Sequence, residues 1–204
     1  MLRKFFTALL LAGIIAIPAV AVAEAPPGPA VPDEPSAAIC YRGSDGFVVA
    51  PPEGWVNLPE AAAASGVCVM YAPAGFNFDN APAVIYPRLA ALPDPAADPD
   101  PVQAMVESML EYFAGQPDGQ RVEVVVGPAL ESEHGLRFAS RYFNNGPDPN
   151  NYELVAYHAA ESSMLLLVLS ANTEKNRQSA EPALWAIARE ILHVQVHYET
   201  GPGQ

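Results

Sequence analysis

The chain has 204 residues, is half hydrophobic by count, and carries 23 Asp plus Glu against 10 Lys plus Arg, a formal charge of −13. A surface that acidic repels nucleic acid and anionic lipid, because both normally bind through Lys and Arg that displace counterions. It permits a basic protein partner, although solubility alone is the ordinary meaning of such a charge.

The N-terminus reads as an export signal. Arg3 and Lys4 precede an apolar run over residues 5–17, and the small triplet Ala21-Val22-Ala23 follows, so residues 1–23 are expected to be a cleaved signal peptide. The rival reading, a membrane anchor, needs about 20 apolar residues, and Pro18 closes this run first. No stable anchor is therefore expected after cleavage, and the mature chain is expected to be periplasmic or secreted. Cleavage removes two basic residues and no acid, leaving eight basic against 23 acidic and deepening the charge to about −15. Residues 24–43 open with EAPPGPAVPDEPS, which is Pro-rich with little to bury, and are read as a tether.

Cys40 and Cys68 are the two cysteines. In an oxidising compartment they read as one disulfide closing a loop of about 29 residues, worth on the order of 3 kcal/mol. Two buried thiols are the alternative. Without a CxxC spacing, redox catalysis is not indicated.

A single domain over residues 44–194 follows. Residues 46–50 (GFVVA) form a strand, and PPEGW is a turn delivering Trp55 to one end of a core. Residues 67–71 (VCVMY) and 83–90 (AVIYPRLA) read as two more strands, with Pro87 placing the second at an edge or a bulge. Between them lies the loop APAGFNFDNAP. Its Phe76 and Phe78 either tuck under the sheet, the commoner outcome, or are displayed beside Asp79 and Asn80 to a partner, and these four residues are the candidate protein contact.

The acidic linker LPDPAADPDP leads into a helix. Asp100 caps it, Pro101 suits its first position and Gln103 is placed to reach back to the cap. Val102, Met105, Val106, Met109, Leu110 and Phe113 then make one apolar face. Val122, Val124 and Val126 alternate in the next strand.

Residues 135–172 read as an antiparallel meander of three strands, the last of which, MLLLVL from Met164, is apolar at every position and so is expected to be central and covered on both faces. In its first strand Arg137 and Arg141 share a face, a candidate anion site, with cross-strand pairing to acids such as Glu153 as the commoner reading. A last helix runs from near Thr173 or Ser179 to about His193 with Leu184, Ile187, Ala188, Ile191 and Leu192 buried, Pro182 in an early turn, and residues 195–204 as a flexible tail.

Reactive motifs are weak. His193 and His197 have the i, i+4 spacing of a helical metal pair but lack the following Glu of the catalytic zinc motif. No serine sits in a GxSxG elbow, and no Gly-rich phosphate loop occurs. Asp98 with Asp100, and Glu131 with Glu133, lie in linkers and turns where solvated acids are the norm, and Asp148 is the sole carboxylate of the NNGPDPNN loop, short of a calcium site. The expectation is therefore no catalytic residue, no metal and no cofactor.

The order of elements, with Phe47, Pro52, Gly54 and Trp55 at the start, Gly135 and Tyr142 in the meander, and the leucine strand over residues 165–169 before the last helix, resembles the PsbP-like fold family, including its small exported bacterial members of the DcrB type. The resemblance spans about residues 44–193. It implies an α+β domain, an antiparallel sheet of about six to seven strands packed against two main helices, and a binding role without catalysis. The expected partner is another envelope or secreted protein. An immunity-type inhibitor of a secreted toxin is a narrower version, and a small-ligand carrier or hydrolase with a pocket between sheet and helices is the alternative.

Overall fold

The computed structural model describes residues 37–94, 100–115, 122–144 and 151–195. The signal peptide, the tether up to residue 36, the centre of the acidic linker, most of the NNGPDPNN loop, His197 and the tail beyond residue 195 lie outside the described residues.

The elements in order are β1 (Ala38–Arg42), β2 (Asp45–Val49), β3 (Trp55–Asn57), α1 (Pro59–Ser65), β4 (Tyr71–Pro73), β5 (Ala83–Ala91), α2 (Pro101–Ala114), β6 (Glu123–Val126), β7 (Leu130–Glu131), β8 (Arg137–Asn144), β9 (Tyr152–Ala159), β10 (Ser163–Ala171), α3 (Glu174–Glu190) and β11 (Leu192–Gln195). They build an antiparallel α+β fold. One sheet runs β3-β4-β5-β10-β9-β8-β6, with β7 paired to β8, and a second, three-stranded sheet runs β1-β2-β11. The strand number thus exceeds the six to seven expected, and α1 joins the two longer helices.

β10 explains the architecture. Pairing with β5 on one side and β9 on the other puts it in the middle of its sheet. Its side chains alternate between two cores because successive residues of a strand point to opposite faces. Leu165, Leu167 and Leu169 enter the core under α3 with Phe47, Tyr71, Ile85, Phe138 and Leu184. Met164, Leu166 and Val168 enter the core under α2 with Val106, Phe143, Val155 and Tyr157. The continuous apolar run is the signature of this double burial.

Local chemistry sets the element ends. Asp100 Oδ1 accepts hydrogen bonds from the Val102 and Gln103 amides at 3.0 and 3.1 Å and so caps α2. The Gln103 side chain does not reach back to the cap; its Nε2 donates forward to Glu107 Oε1 at 2.8 Å. Thr173 Oγ1 caps α3 by accepting from the Asn176 amide. Pro182 lies inside α3 and not in an early turn, since a helix anchored by a buried face carries one missing amide bond. Pro87 keeps its register opposite Leu167, and the β4 ladder touches β5 at Tyr71–Ile85, short of the proline.

Four boundaries move. β1 lies within the range read as tether, since pairing with β2 and the Cys40–Cys68 disulfide, with Cα atoms 5.6 Å apart, tie it down. At the other end, residues 192–195 neither continue the helix nor fray but form β11 against β2, and Gln195 belongs to the domain. Leu192 is consequently 40% exposed instead of buried on α3. Residues 67–70, read as strand, precede β4, which spans only Tyr71–Pro73.

Candidate functional site

The first residue of β2 is an acid at the bottom of the core. Asp45 is fully buried, yet its carboxylate is saturated. Oδ2 accepts from the Ser162 amide at 3.0 Å, the Ser162 hydroxyl at 2.7 Å and the Ser163 hydroxyl at 2.8 Å. Oδ1 accepts from His193 Nε2 at 2.9 Å. Burial alone pushes a carboxyl up, but the bonds from the serines and His193 outweigh it and hold Asp45 down at about 2. One carboxylate therefore ties the start of β2 to the β9–β10 turn and to β11.

Aromatic rings close over this clasp. The His193 ring stacks on Phe47 with centroids 4.8 Å apart, and His158 stands 6.5 Å from it, edge to face. His158 Nδ1 donates to the Arg137 carbonyl at 3.1 Å, which fixes the hydrogen on that nitrogen. Burial, with the nearby His193, pulls the His158 imidazole below its usual range against the bond to Arg137.

Acid, imidazole and serine hydroxyl thus meet in one place, which no sequence motif announced. Their order is not that of a nucleophilic triad. Both serine hydroxyls bond to the carboxylate, whereas activation requires the hydroxyl on the imidazole nitrogen remote from the acid. The arrangement cross-links strands and does not activate a serine. Among the described residues no group of three or more His, Cys, Asp or Glu is placed to hold a metal ion, and His193 sits on a strand and not in the helical pair.

The candidate anion pair is divided. Arg137 is exposed and its Nε lies 3.7 Å from Glu131 Oε2, its register partner across β7 and β8. Arg141 Nη1 donates to the Ser140 carbonyl at 2.8 Å. Cross-strand pairing is therefore realised with Glu131 and not with Glu153, whose Oε1 accepts from Asn151 Nδ2 at 3.0 Å and whose carboxyl is pushed up by burial. Tyr142 points to the opposite face, where its hydroxyl donates to Glu181 Oε1 at 2.8 Å under the Arg177 guanidinium.

The loop between β4 and β5 is different in kind. Phe76 and Phe78 are 42% and 39% exposed, so neither is tucked under the sheet. Their backbone is fixed nonetheless. Asn77 Oδ1 accepts from the Asp79 and Asn80 amides at 3.1 and 3.2 Å, and Asn80 Oδ1 accepts from the Asn77 amide at 2.8 Å. The Phe76 amide donates to the Pro73 carbonyl and the Ala81 amide to the Asn77 carbonyl. Asn side chains that close on neighbouring amides hold the backbone of such a turn in one conformation. Two aromatic rings with an acid beside them are thus presented on a preformed turn.

No family model matches the sequence, and no curated protein sequence matches it either. Among solved structures, the chain is similar to the solution structure of cyanobacterial PsbP (CyanoP) from Synechocystis sp. PCC 6803, with a TM-score of 0.45 and 15% identity over 82% of this chain and 99% of that one. It is also similar to the crystal structure of LpqN, involved in cell envelope biogenesis of Mycobacterium tuberculosis, with a TM-score of 0.48 and 15% identity over 78% of this chain and 91% of that one. These likenesses are of chain path at 15% identity; the function has to be read from the chain's own residues.

Proposed function

We propose that this chain is an exported, non-catalytic domain that binds another envelope or secreted protein through the loop carrying Phe76, Phe78, Asp79 and Asn80. The observation that carries the reading is the exposure of Phe76 and Phe78 on a turn fixed by Asn77 and Asn80. Aromatic side chains lose little entropy on binding and supply large contact area, and a turn ordered beforehand lowers the cost further. Asp79 beside them and the net charge of −13 favour a basic partner. The disulfide supports export, since such bonds persist in oxidising compartments. Inhibition of a basic secreted toxin is the narrower form of the same reading.

The test is a photo-crosslinking residue placed at Phe78 in the full chain within its own host, with the exposed Glu60 of α1 as the control position. A discrete adduct from position 78, absent from position 60 and abolished by Phe76→Ala, supports the loop as the contact. Identical adducts from both positions, or none from either, overturn it.

A further inference from the structure

The large sheet ends at β6, which pairs with β8 on one side, and among the described residues no backbone group bonds its other side. In an antiparallel ladder alternate residues turn their amide and carbonyl to the partner strand, and the residues between them turn theirs away. The Gly127 amide donates to the Ser140 carbonyl at 3.0 Å, so Gly127 faces β8, as does Val125, two residues back and opposite Tyr142. Val124 and Val126 therefore hold two N–H and two C=O groups out from the sheet.

This open edge has a definite end. From Val126 to Leu130 the chain advances four residues, while its partner goes back three, from Arg141 to Phe138, so a one-residue bulge separates β6 from β7. Pro128 within the bulge has no amide, and its carbonyl accepts from the Ser140 hydroxyl at 2.6 Å. Directly beyond β6, Pro128, Ala129 and Leu130 face Trp185 and Arg189 of α3 across a pocket of about 180 Å³. Trp185 is held in place by donating from Nε1 to Glu181 Oε1 at 3.2 Å. The pocket has room for one large apolar side chain, whereas sites for whole small molecules begin at about 300 Å³.

Edge strands are normally blunted by charge or proline along their length. Along β6 the one charge is Glu123, its first residue. Val125 is 44% exposed, beside Tyr142 on the α3 side, and Val126 is 72% exposed, beside Arg141 on the other face. Two donors and two acceptors at strand spacing are matched by an extended backbone, with alternate side chains reading the two faces. A second copy of the chain is the poorer occupant. Two molecules of charge −13 repel each other, and an edge of four residues buries far less than the about 800 Å² per partner of a stable interface.

We infer that β6 is a strand-addition site for an extended apolar peptide segment of another protein, whose main chain pairs with Val124 and Val126 and whose side chain at the Pro128 end fills the pocket against Trp185. Strands β10, β9 and β8 separate this edge from β5 and the Phe76–Phe78 loop. The site does not depend on the reading of that loop.

The experiment is a selection of random heptapeptides displayed on phage against the purified chain, followed by titration of the isotope-labelled chain with the enriched sequences as blocked synthetic peptides. Enriched peptides should alternate apolar residues and cause saturable shifts at the Val124 and Val126 amides and the Trp185 indole. Val126→Pro removes one outward amide and leaves the ladder to β8 intact, a position where proline is tolerated. It should weaken binding about tenfold, through one lost main-chain bond and the obstructing ring. Val126→Thr keeps the amide and a β-branched side chain and should stay within about twofold of the wild type. Phe76→Ala with Phe78→Ala should change nothing. A dispersed spectrum with the Gly127 amide still protected from exchange is the expected sign that Val126→Pro keeps β6 in place. The absence of any enriched peptide, saturable shifts elsewhere, or equal weakening by Val126→Thr and Val126→Pro overturns the inference. A free chain that sediments as a dimer, and as a monomer once it carries Val126→Pro, gives the edge to a second copy and overturns the peptide as its occupant.

Discussion

Asp45 and the Phe76–Phe78 loop invert the usual partition of side chains in opposite directions: a carboxylate sits where apolar groups belong, and phenylalanines sit where carboxylates belong. Only such inversions are informative, because apolar atoms cover much of any protein surface and buried leucines need no explanation. The two inversions resolve differently. Every oxygen of Asp45 is matched from within the chain, by Ser162, Ser163 and His193. Its presence in the core is fully accounted for by holding three strand ends together. The loop is also internally bonded, but those bonds fix the backbone and leave both rings substantially in solvent. A saturated buried acid points inward to stability, and an ordered exposed aromatic pair points outward to a partner.

The comparison is broken most directly at the acid. Asp45→Ala strands the buried Ser163 hydroxyl and takes the acceptor from the Ser162 amide and hydroxyl and from the half-buried His193 imidazole, and it should cost about 3 kcal/mol in urea unfolding, the usual consequence of leaving buried polar groups unmatched. A loss below about 0.5 kcal/mol, within the range of surface substitutions, would mean that the clasp is not structural.

The pH dependence sharpens the same point with a smaller effect. The Asp45 carboxyl titrates near 2 in the folded chain and near 3.8 without its partners. A carboxyl held down by folding stabilises in full above its unfolded value and loses that contribution as pH falls towards the folded one. The difference in urea midpoint between the wild type and Asp45→Asn should therefore shrink between about pH 4 and pH 2. A gap unchanged across that interval would remove the hydrogen-bonded carboxylate as its cause.

The smallest effect is expected at the loop. Phe76→Ala with Phe78→Ala should change stability by no more than about 0.5 kcal/mol per site, because the side chains of Asn77 and Asn80 bond the turn backbone. A loss of several kcal/mol would show that the rings support the core, and the outward reading would fail with it.

These two regions were unequally legible in the sequence. The loop was visible because two aromatics among Gly, Asn, Asp and Pro stand out from their surroundings, and only the choice between tucked and displayed waited for the structure. The central strand was visible for a like reason, since six consecutive apolar residues have no place at an edge. The clasp was invisible. Ser44-Asp45-Gly46 and Glu161-Ser162-Ser163 use the residues of ordinary turns, and the partners of Asp45 are 117, 118 and 148 positions away along the chain. β11 was missed on the same account. Leu192, His193, Val194 and Gln195 alternate apolar and polar as a strand does, but four residues directly after a helix are too short a run to read, and the strand rests on pairing with β2.

The pairing of β2 with β11 also orders events in time. During synthesis residue 45 leaves the ribosome about 150 residues before residue 193, so β2 waits on its outer side and the Asp45 carboxylate waits for its imidazole until almost the whole domain has been made. Contacts of such sequence separation slow folding. The last strand to arrive is therefore the one that shuts the domain.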